Sequence, residues 1–160
     1  MVEVQTGITL DAAPGAVWKV LADAAAYPEW NTMITSLDGE LREGCPIRIR
    51  VRLRFLPAIR LPFVVTAVHP EKRLCWVLTF PAGLLRVEHC FCISGDRTGG
   101  VRFDNIERFS GIIGVLAGSV MRRMFRSDYE RMNKAITQRV HMEASKRESL
   151  ENSGQLRKTR

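Results

Sequence analysis

The chain has 160 residues, 46% of them hydrophobic and 26% charged, and its formal net charge at pH 7 is +7. This composition predicts one globular domain with a hydrophobic core and excludes a largely disordered chain. Because Glu3 and Asp11 interrupt the first apolar residues, and the longest uncharged apolar run, Phe109 to Met121, is too short to cross a bilayer, we expect a soluble cytoplasmic protein without a secretory signal.

The chain begins with a predicted strand and two short predicted helices. Residues Val2 to Leu10 alternate loosely between apolar and polar side chains, which indicates a strand. Asp11-Ala12-Ala13-Pro14 then opens a helix with proline near its first turn. The proline in Tyr27-Pro28-Glu29-Trp30-Asn31 ends this helical region or starts another turn, so we expect two short helices after the first strand.

A series of predicted strands begins near Ile34. Glycine or proline recurs about every ten residues between alternating segments, which is typical of an antiparallel meander. The clearest alternation predicts one face in the core and one in solvent. Its apolar row is Ile47, Ile49, Val51, Leu53 and Phe55, and its polar row is Arg48, Arg50, Arg52 and Arg54.

Three later segments also place apolar residues on one predicted strand face. Their rows are Leu74, Trp76, Leu78 and Phe80, then Leu85, Val87, His89, Phe91 and Ile93, and finally Val101, Phe103, Asn105, Glu107 and Phe109. With the segments before them, these rows predict about six strands after the short helices.

A long amphipathic helix is predicted from about Leu116 to Glu143. Its apolar side chains recur at gaps of three or four residues and form one stripe. The stripe consists of Met121, Phe125, Tyr129, Met132, Ile136 and Val140. A helix on the order of 40 Å long can cross a whole sheet, so we expect it to pack on the strands. The folded domain is predicted to cover residues 1–145, and residues 146–160 are expected to form a disordered, basic tail.

The cysteines and motifs predict no metal site and no cofactor. Cys45, Cys75, Cys90 and Cys92 lack C-x-x-C spacing, so we expect reduced, buried or half-buried thiols. The chain has no P-loop, dinucleotide fingerprint, H-E-x-x-H helix or Ser-His-Asp order.

The positive charge is spread over two regions. Five arginines of the strand region, Arg48, Arg50, Arg52, Arg54 and Arg60, alternate with apolar residues, and the tail after Lys146 is also basic. Neither region interleaves its charges with aromatic residues as a base-stacking surface does, so no nucleic-acid partner is expected.

Several motifs together resemble the polyketide cyclase/dehydrase and lipid-transport family of the START-like, helix-grip superfamily. They are Ala13-Pro14-x-x-Val17-Trp18-x-Val20-Leu21-x-Asp23, Tyr27-Pro28-Glu29-Trp30-Asn31, Glu88-His89-x-Phe91 and Glu107-x-Phe109-x-Gly111, and the resemblance covers about Val4 to Val140. It implies an α+β fold in which a curved seven-stranded antiparallel sheet wraps around the C-terminal helix and encloses an apolar cavity. Similar proteins include lipid carriers, aromatase/cyclases and hormone receptors, so the resemblance implies a hydrophobic ligand but fixes no activity.

Three polar residues stand out because they lie in apolar rows. His89, Asn105 and Glu107 are expected to be buried, at a cost of about 1 to 3 kcal/mol for each unpaired group. A hairpin between their strands can bring His89 near Asn105 or Glu107, and a His–carboxylate pair facing a cavity is a candidate catalytic acid and base. In the alternative interpretation these groups only satisfy one another, or Glu107 anchors the start of the last helix.

The candidate ligand-binding residues surround this polar group. Trp76, Phe80, Phe91, Phe103, Met121 and Phe125 either line the cavity with Asn105 or only fill the core. Trp30 and Asn31 are expected near the cavity mouth, although Trp30 can equally be a packing anchor and Asn31 can cap a turn. The glycine-containing run from Ile112 to Gly118 is a second candidate gate.

We interpret the chain as a domain that binds, and could also transport, a hydrophobic small molecule. One alternative is a cyclase or dehydratase that acts on a polyketide-like or aromatic substrate with His89 and Glu107 as acid and base. Another is a protein- or membrane-surface module that uses the arginine-rich strands and the basic tail. We expect a monomer or homodimer and at most transient membrane contact.

Overall fold

One antiparallel sheet of seven strands forms the frame of the protein. The computed structural model describes residues 1–53, 57–96 and 99–158. The strands are β1 Val2–Leu10, β2 Ile34–Asp38, β3 Pro46–Val51, β4 Ile59–His69, β5 Arg73–Thr79, β6 Arg86–Gly95 and β7 Val101–Ser110. Their order across the sheet is β1-β7-β6-β5-β4-β3-β2, so β1 pairs with the last strand and every other neighbour is consecutive in the chain.

The helices lie at both ends of the described sequence. They are α1 Pro14–Ala22, α2 Tyr27–Trp30, α3 Gly111–Leu116 and α4 Gly118–Lys158, with short 3₁₀ turns at Ala24–Ala26 and Pro81–Gly83. The predicted α+β class is confirmed, because the sheet is curled and carries a long C-terminal helix, and two short helices follow the first strand. No helix within the described ranges has the length and hydropathy needed to span a membrane.

The predicted apolar rows face the core. On β6 the buried row includes His89, and on β7 it includes Asn105 and Glu107, as the alternation predicts. Phe80 differs from its predicted row because it follows the last residue of β5 and is 39% exposed. Phe55 and Arg54, predicted on the strand that begins near Ile47, lie outside the described residues.

α4 covers the sheet with the predicted apolar stripe. Tyr129, Met132, Ile136 and Val140 are buried, and α4 packs against β1, β7 and α1. Burying this stripe removes apolar surface from water on both the helix and the sheet, which holds α4 across the concave face. The space left between α4 and the strands becomes the cavity described below.

The long helix is interrupted near its predicted start. The sequence predicts one helix from about Leu116, whereas the structure contains α3 and then α4 from Gly118. Both helices begin with a glycine at a place where the chain leaves no room for a side chain. Gly111 has φ +86°, and a Cβ there would lie 2.5 Å from the carbonyl oxygen of Gly83. A Cβ at Gly118 would collide with the side chain of Val2.

The helix also continues beyond its predicted end. α4 reaches Lys158, through the segment that the sequence predicts to be a disordered tail. The segment contains no proline, and local contacts support helix: Arg147 pairs with Glu151 at 2.8 Å, and Ser149 Oγ donates to the carbonyl of Ser145. The division into a domain of residues 1–145 and a tail of residues 146–160 stays a prediction.

A disulfide joins Cys75 and Cys90, which corrects the expectation that all four cysteines are reduced. The two residues are direct partners across β5 and β6, so their sulfur atoms meet on the sheet face opposite the cavity. Closing a loop of 15 residues contributes about 3 kcal/mol to stability. Disulfides are rare in the cytosol, so the cytoplasmic location stays a prediction that this bond does not favour.

Candidate functional site

An apolar cavity of about 220 Å³ lies between the concave face of the sheet and α4. Apart from His89, Glu107 and Tyr129, the side chains that line it are aliphatic, aromatic or methionine. These apolar residues are Met33, Ile34, Ile49, Val51, Leu53, Ile59, Leu61, Phe63, Trp76, Leu78, Phe80, Leu85, Val87, Phe109, Met121, Phe125 and Met132. A concave apolar site with a few convergent polar groups is the usual form of a small-molecule site.

The polar groups of the cavity meet at Glu107. His89 on β6 is the direct partner of Glu107 on β7, and its Nδ1 lies 2.5 Å from Glu107 Oε2. The hydroxyl of Tyr129, on α4, donates to the same oxygen at 2.5 Å. The predicted proximity of His89 and Glu107 is therefore confirmed. Glu107 lies within β7, and its carboxylate bonds to His89 and Tyr129, which does not favour the alternative that it anchors the start of the last helix.

The hydrogen bonds to Glu107 occupy one ring nitrogen of His89 and leave the other, Nε2, available to a ligand. A carboxylate only accepts hydrogen bonds, so His89 Nδ1 and the Tyr129 hydroxyl both donate to Glu107. His89 Nε2 is buried and has no hydrogen-bond partner among the described residues. It accepts a hydrogen bond when the imidazole is neutral and donates one when the ring is protonated. An unpaired buried nitrogen of this kind costs about 1 to 3 kcal/mol.

Aromatic contacts hold the imidazole ring in place. The ring of His89 stacks on Trp76 with a centroid distance of 5.3 Å and an interplanar angle of 10°. Phe91 packs edge-on against His89 at 4.5 Å, and Tyr129 is tilted against it at 5.6 Å. His89 is thus oriented by Glu107 and by three rings, and its free Nε2 belongs to a side chain that lines the apolar cavity.

The electrostatic environment keeps Tyr129 protonated. Burial of the phenol raises the pKa of Tyr129 well above its usual range, and the negative charge of Glu107 raises this pKa further. Tyr129 is therefore a permanent donor to Glu107 at neutral pH. The arrangement His89–Glu107–Tyr129 can orient a general base or acid at His89 Nε2, or it can simply bind a polar atom there.

The structure brings together six of the ten residues predicted for the site. His89, Glu107, Trp76, Phe80, Met121 and Phe125 all line the cavity. The rings of Phe91 and Phe103 stack on each other at 5.7 Å and are fully buried, so they support the site from within the core. Neither they nor Trp30 and Asn105 are among the lining residues.

Asn105 lies beside the site without joining it. It is fully buried on β7, two residues from Glu107, and neither atom of its amide has a hydrogen-bond partner in the described part of the chain. Its β1 partner is Thr6, which accepts a hydrogen bond from Asn133 of α4 at 3.0 Å. Thr6 and Asn133 thus form a separate polar contact between β1 and α4.

The segment after α2 caps a turn. Asn31 Oδ1 accepts hydrogen bonds from the backbone N–H groups of Met33 and Ile34 at 2.9 and 2.8 Å, which is the turn-capping alternative considered for this residue. Trp30 packs edge-on against Tyr27 with a centroid distance of 5.2 Å and is 9% exposed. This geometry fits the packing-anchor interpretation of Trp30.

Tyr129 is the polar site residue that the sequence analysis missed. It appears there only as one member of the apolar stripe of the long helix. The sequence does contain an indication of this role, because the hydroxyl of a tyrosine in a buried stripe needs a hydrogen-bond partner. Among the described residues, no group of three or more His, Cys, Asp or Glu side chains is arranged to hold a metal ion.

Solved structures share this fold at low sequence identity. A START superfamily protein from Mycobacterium smegmatis has a TM-score of 0.71 and 16% identity, with 89% of this chain and 99% of that chain covered. The ZhuI aromatase/cyclase from Streptomyces sp. R1128 has a TM-score of 0.69 and 14% identity, with coverages of 87% and 93%. The protein TTHA0849 from Thermus thermophilus has a TM-score of 0.67 and 19% identity, with coverages of 88% and 97%.

No curated protein matches the chain. The family model described as polyketide cyclase / dehydrase and lipid transport matches residues 1–141, which include every strand and all the residues that line the cavity. The cavity between a curled antiparallel sheet and a long C-terminal helix agrees with this match. The chain therefore belongs to the polyketide cyclase/dehydrase and lipid-transport family.

Proposed function

We propose that the protein binds a hydrophobic small molecule in the cavity between the sheet and α4. The lining is almost entirely apolar, so transfer of an apolar molecule from water into it is favourable. Its volume, about 220 Å³, is below the roughly 300 to 1,000 Å³ of most ligand sites. The ligand is accordingly small, or part of it extends through the cavity mouth.

The observation that carries the proposal is the unpaired Nε2 of His89. This nitrogen is buried and belongs to a side chain that lines the apolar cavity, while the other ring nitrogen is held by Glu107. A ligand with one hydroxyl or carbonyl group on an apolar body can satisfy it and remove the cost of the unpaired nitrogen. We infer that His89 selects ligands with a polar atom at one end.

A pair of probes that differ by one hydroxyl tests this selection. We expect the protein to bind β-naphthol about five- to tenfold more tightly than naphthalene, because only the naphthol pairs with His89 Nε2. In the His89→Phe variant this preference should disappear while naphthalene still binds. Affinities are measured by displacement of a polarity-sensitive fluorescent probe. The matched control is His69→Phe, since His69 lies on the exposed end of β4 and should leave the preference unchanged.

Two outcomes of this experiment would contradict the proposal. If neither probe binds the wild-type protein, the cavity is not a ligand site of this class. If both bind and the preference for β-naphthol survives in His89→Phe, a group other than His89 Nε2 recognises the hydroxyl.

The second candidate function is acid–base catalysis on a cyclic or polyketide-like substrate. The observation in its favour is the orientation of His89 by Glu107, which leaves Nε2 available for proton transfer. In this case Glu107 positions the imidazole, and Nε2 removes or supplies the proton at the reacting carbon or oxygen. The family name and the aromatase/cyclase among the similar structures support this candidate.

The fate of a hydroxylated substrate separates the two candidates. Aromatic β-hydroxyketones are incubated with the protein and extracted, and their masses are then measured by mass spectrometry. A binding protein returns them unchanged, whereas a dehydratase returns a product lighter by one water. If water is lost, we expect Glu107→Gln to slow the reaction at least tenfold with a smaller effect on binding, because the amide holds the imidazole less well.

A further inference from the structure

The cavity opens toward one end of the sheet. The ends of β3, β5 and β7 and the starts of β1, β4 and β6 meet there, as the pairing of Val51 with Ile59 and of Val2 with Phe109 shows. Phe80 and Ile59 line the cavity and are 39% and 44% exposed, so they mark its mouth. α3 and the first turn of α4 lie at this same end, since the backbone N–H of Ile113 donates to the carbonyl of Leu84 at 3.0 Å.

This end, which we call the mouth face, collects the exposed apolar side chains of the protein. Among the described residues, twelve large hydrophobic side chains are exposed, and nine of them lie here. Five of the nine belong to α3 and the start of α4, where Leu116 is 79% and Val120 69% exposed. Monomeric soluble proteins rarely concentrate so many exposed apolar residues in one place, and such patches mark interaction sites.

The charge around the mouth face is mostly positive. Apart from the start of β1, where Glu3 pairs with Arg108, its described residues lie in the ranges 51–53, 57–62, 79–87 and 109–127, and none of these ranges contains an aspartate or a glutamate. They do contain exposed arginines, among them Arg52, Arg60, Arg122 and Arg123. An apolar centre surrounded by cations matches a surface that is anionic outside and hydrocarbon inside.

We propose that the mouth face docks on membranes that contain anionic phospholipid. The side chains of α3 enter the interface, and the arginines contact the lipid phosphates. A second copy of the chain fits less well, because a symmetric dimer through this face would bring two positive surfaces together. The proposal shares Arg52 and Arg60 with the surface considered in the sequence analysis, but it adds α3 and the start of α4 and does not use the basic tail.

Docking in this way would aim the cavity mouth at the lipid. An apolar ligand could then pass between the bilayer and the cavity without being exposed to water. This consequence rests on the proposed function, whereas the docking itself depends only on the mouth face. The two can therefore fail separately.

Vesicle co-sedimentation tests the docking. We expect the protein to bind vesicles of phosphatidylcholine with phosphatidylglycerol at least tenfold more tightly than vesicles of phosphatidylcholine alone, and to lose this preference as salt is raised. Leu116→Asp should weaken binding to the anionic vesicles by about tenfold or more. Leu150→Asp is its matched control, because Leu150 is 74% exposed on the distal part of α4.

Charge reversal provides the second test. Arg122→Glu/Arg123→Glu should lower anionic-vesicle binding by about tenfold or more. Lys146→Glu/Arg147→Glu changes the net charge equally at another exposed pair of α4 and should have a much smaller effect. All four variants should still bind β-naphthol as the wild type does. If the wild-type protein binds anionic vesicles as expected but does not bind β-naphthol, the proposed function fails and the docking proposal stands.

Several results would overturn the docking proposal. One is equal binding of the wild type to the two vesicle types. Another is a loss of anionic-vesicle binding that is as large in each control variant as in the variant it is matched to. A third is a wild-type dimer, seen by analytical ultracentrifugation, that Leu116→Asp converts to a monomer, because the occupant of the mouth face would then be a second copy.

Discussion

Replacing Glu107 by alanine is expected to lower the free energy of unfolding by about 2 to 5 kcal/mol. The change removes the acceptor shared by His89 Nδ1 and the Tyr129 hydroxyl, both of which are buried. Each donor is then left without a partner in an apolar environment, at about 1 to 3 kcal/mol. Urea unfolding followed by tryptophan fluorescence measures the loss.

Glu3→Ala is the matched control for this change. Glu3 also lies on a strand of the sheet and pairs with Arg108 at 2.8 Å, but its side chain is 39% exposed. Surface pairs of this kind contribute about 0 to 1 kcal/mol, so the control should be nearly neutral. Glu107→Gln should fall between the two, because its amide oxygen still accepts one hydrogen bond. The interpretation of Glu107 as the centre of the site is wrong if Glu107→Ala destabilises no more than Glu3→Ala.

Above pH 10 the protein is expected to lose stability steeply because of its two tyrosines. Burial is the main cause that raises the pKa of both Tyr27 and Tyr129 above the usual value of 10.0. The contribution is fully present below pH 10, where both states hold the two protons. Above it the unfolded chain releases two protons that the folded protein keeps, so the free energy of unfolding falls by about 2.7 kcal/mol per pH unit.

Two measurements check this expectation. Urea unfolding at increasing pH gives the slope of the free energy of unfolding against pH. This slope should be about 1.4 kcal/mol per pH unit less steep in Tyr27→Phe than in the wild type, and less steep by the same amount in Tyr129→Phe. The two single variants therefore separate the tyrosines from other titrating groups. In the wild type, phenolate absorbance should rise only together with unfolding. Phenolate formation near pH 10 in a folded Tyr27→Phe variant would show that Tyr129 is not the buried donor described above.

The sequence predicts the sheet and its buried polar residues well because both depend on local alternation. A period of two decides which side chains share a strand face, so His89, Asn105 and Glu107 could be assigned to the core without coordinates. A short hairpin loop limits the register, which is why His89 could be expected beside Asn105 or Glu107. The choice between the two required the actual pairing, in which Asn105 lies opposite Phe91.

Features that depend on contacts between distant segments were harder to predict. The Cys75–Cys90 disulfide depends on the register of β5 and β6, which spacing along the chain does not reveal. The separation of Phe91 and Phe103 from the cavity depends on where α4 crosses the sheet. The break before α4 coincides with the approach of Gly118 to Val2, a residue at the other end of the sequence.

The role of Tyr129 shows a different limit. An apolar stripe at helical spacing predicts burial equally for phenylalanine and tyrosine, but it does not show which strand residue the hydroxyl meets. Only the packing of α4 on β7 places that hydroxyl on Glu107. The polar half of the site therefore required the tertiary structure, whereas the apolar half could be read from the pattern of residues.

Native mass spectrometry of the purified protein, with extraction of any bound compound, tests the central claim most directly. We expect the wild type to retain a co-purified or added apolar compound of defined mass. Met121→Trp should release it by filling the cavity, and Met142→Trp should retain it because Met142 is an exposed residue elsewhere on α4. A wild-type protein that retains no compound, either from its source or from a panel of lipids and aromatic polyketides, would contradict the claim that the cavity is a ligand site.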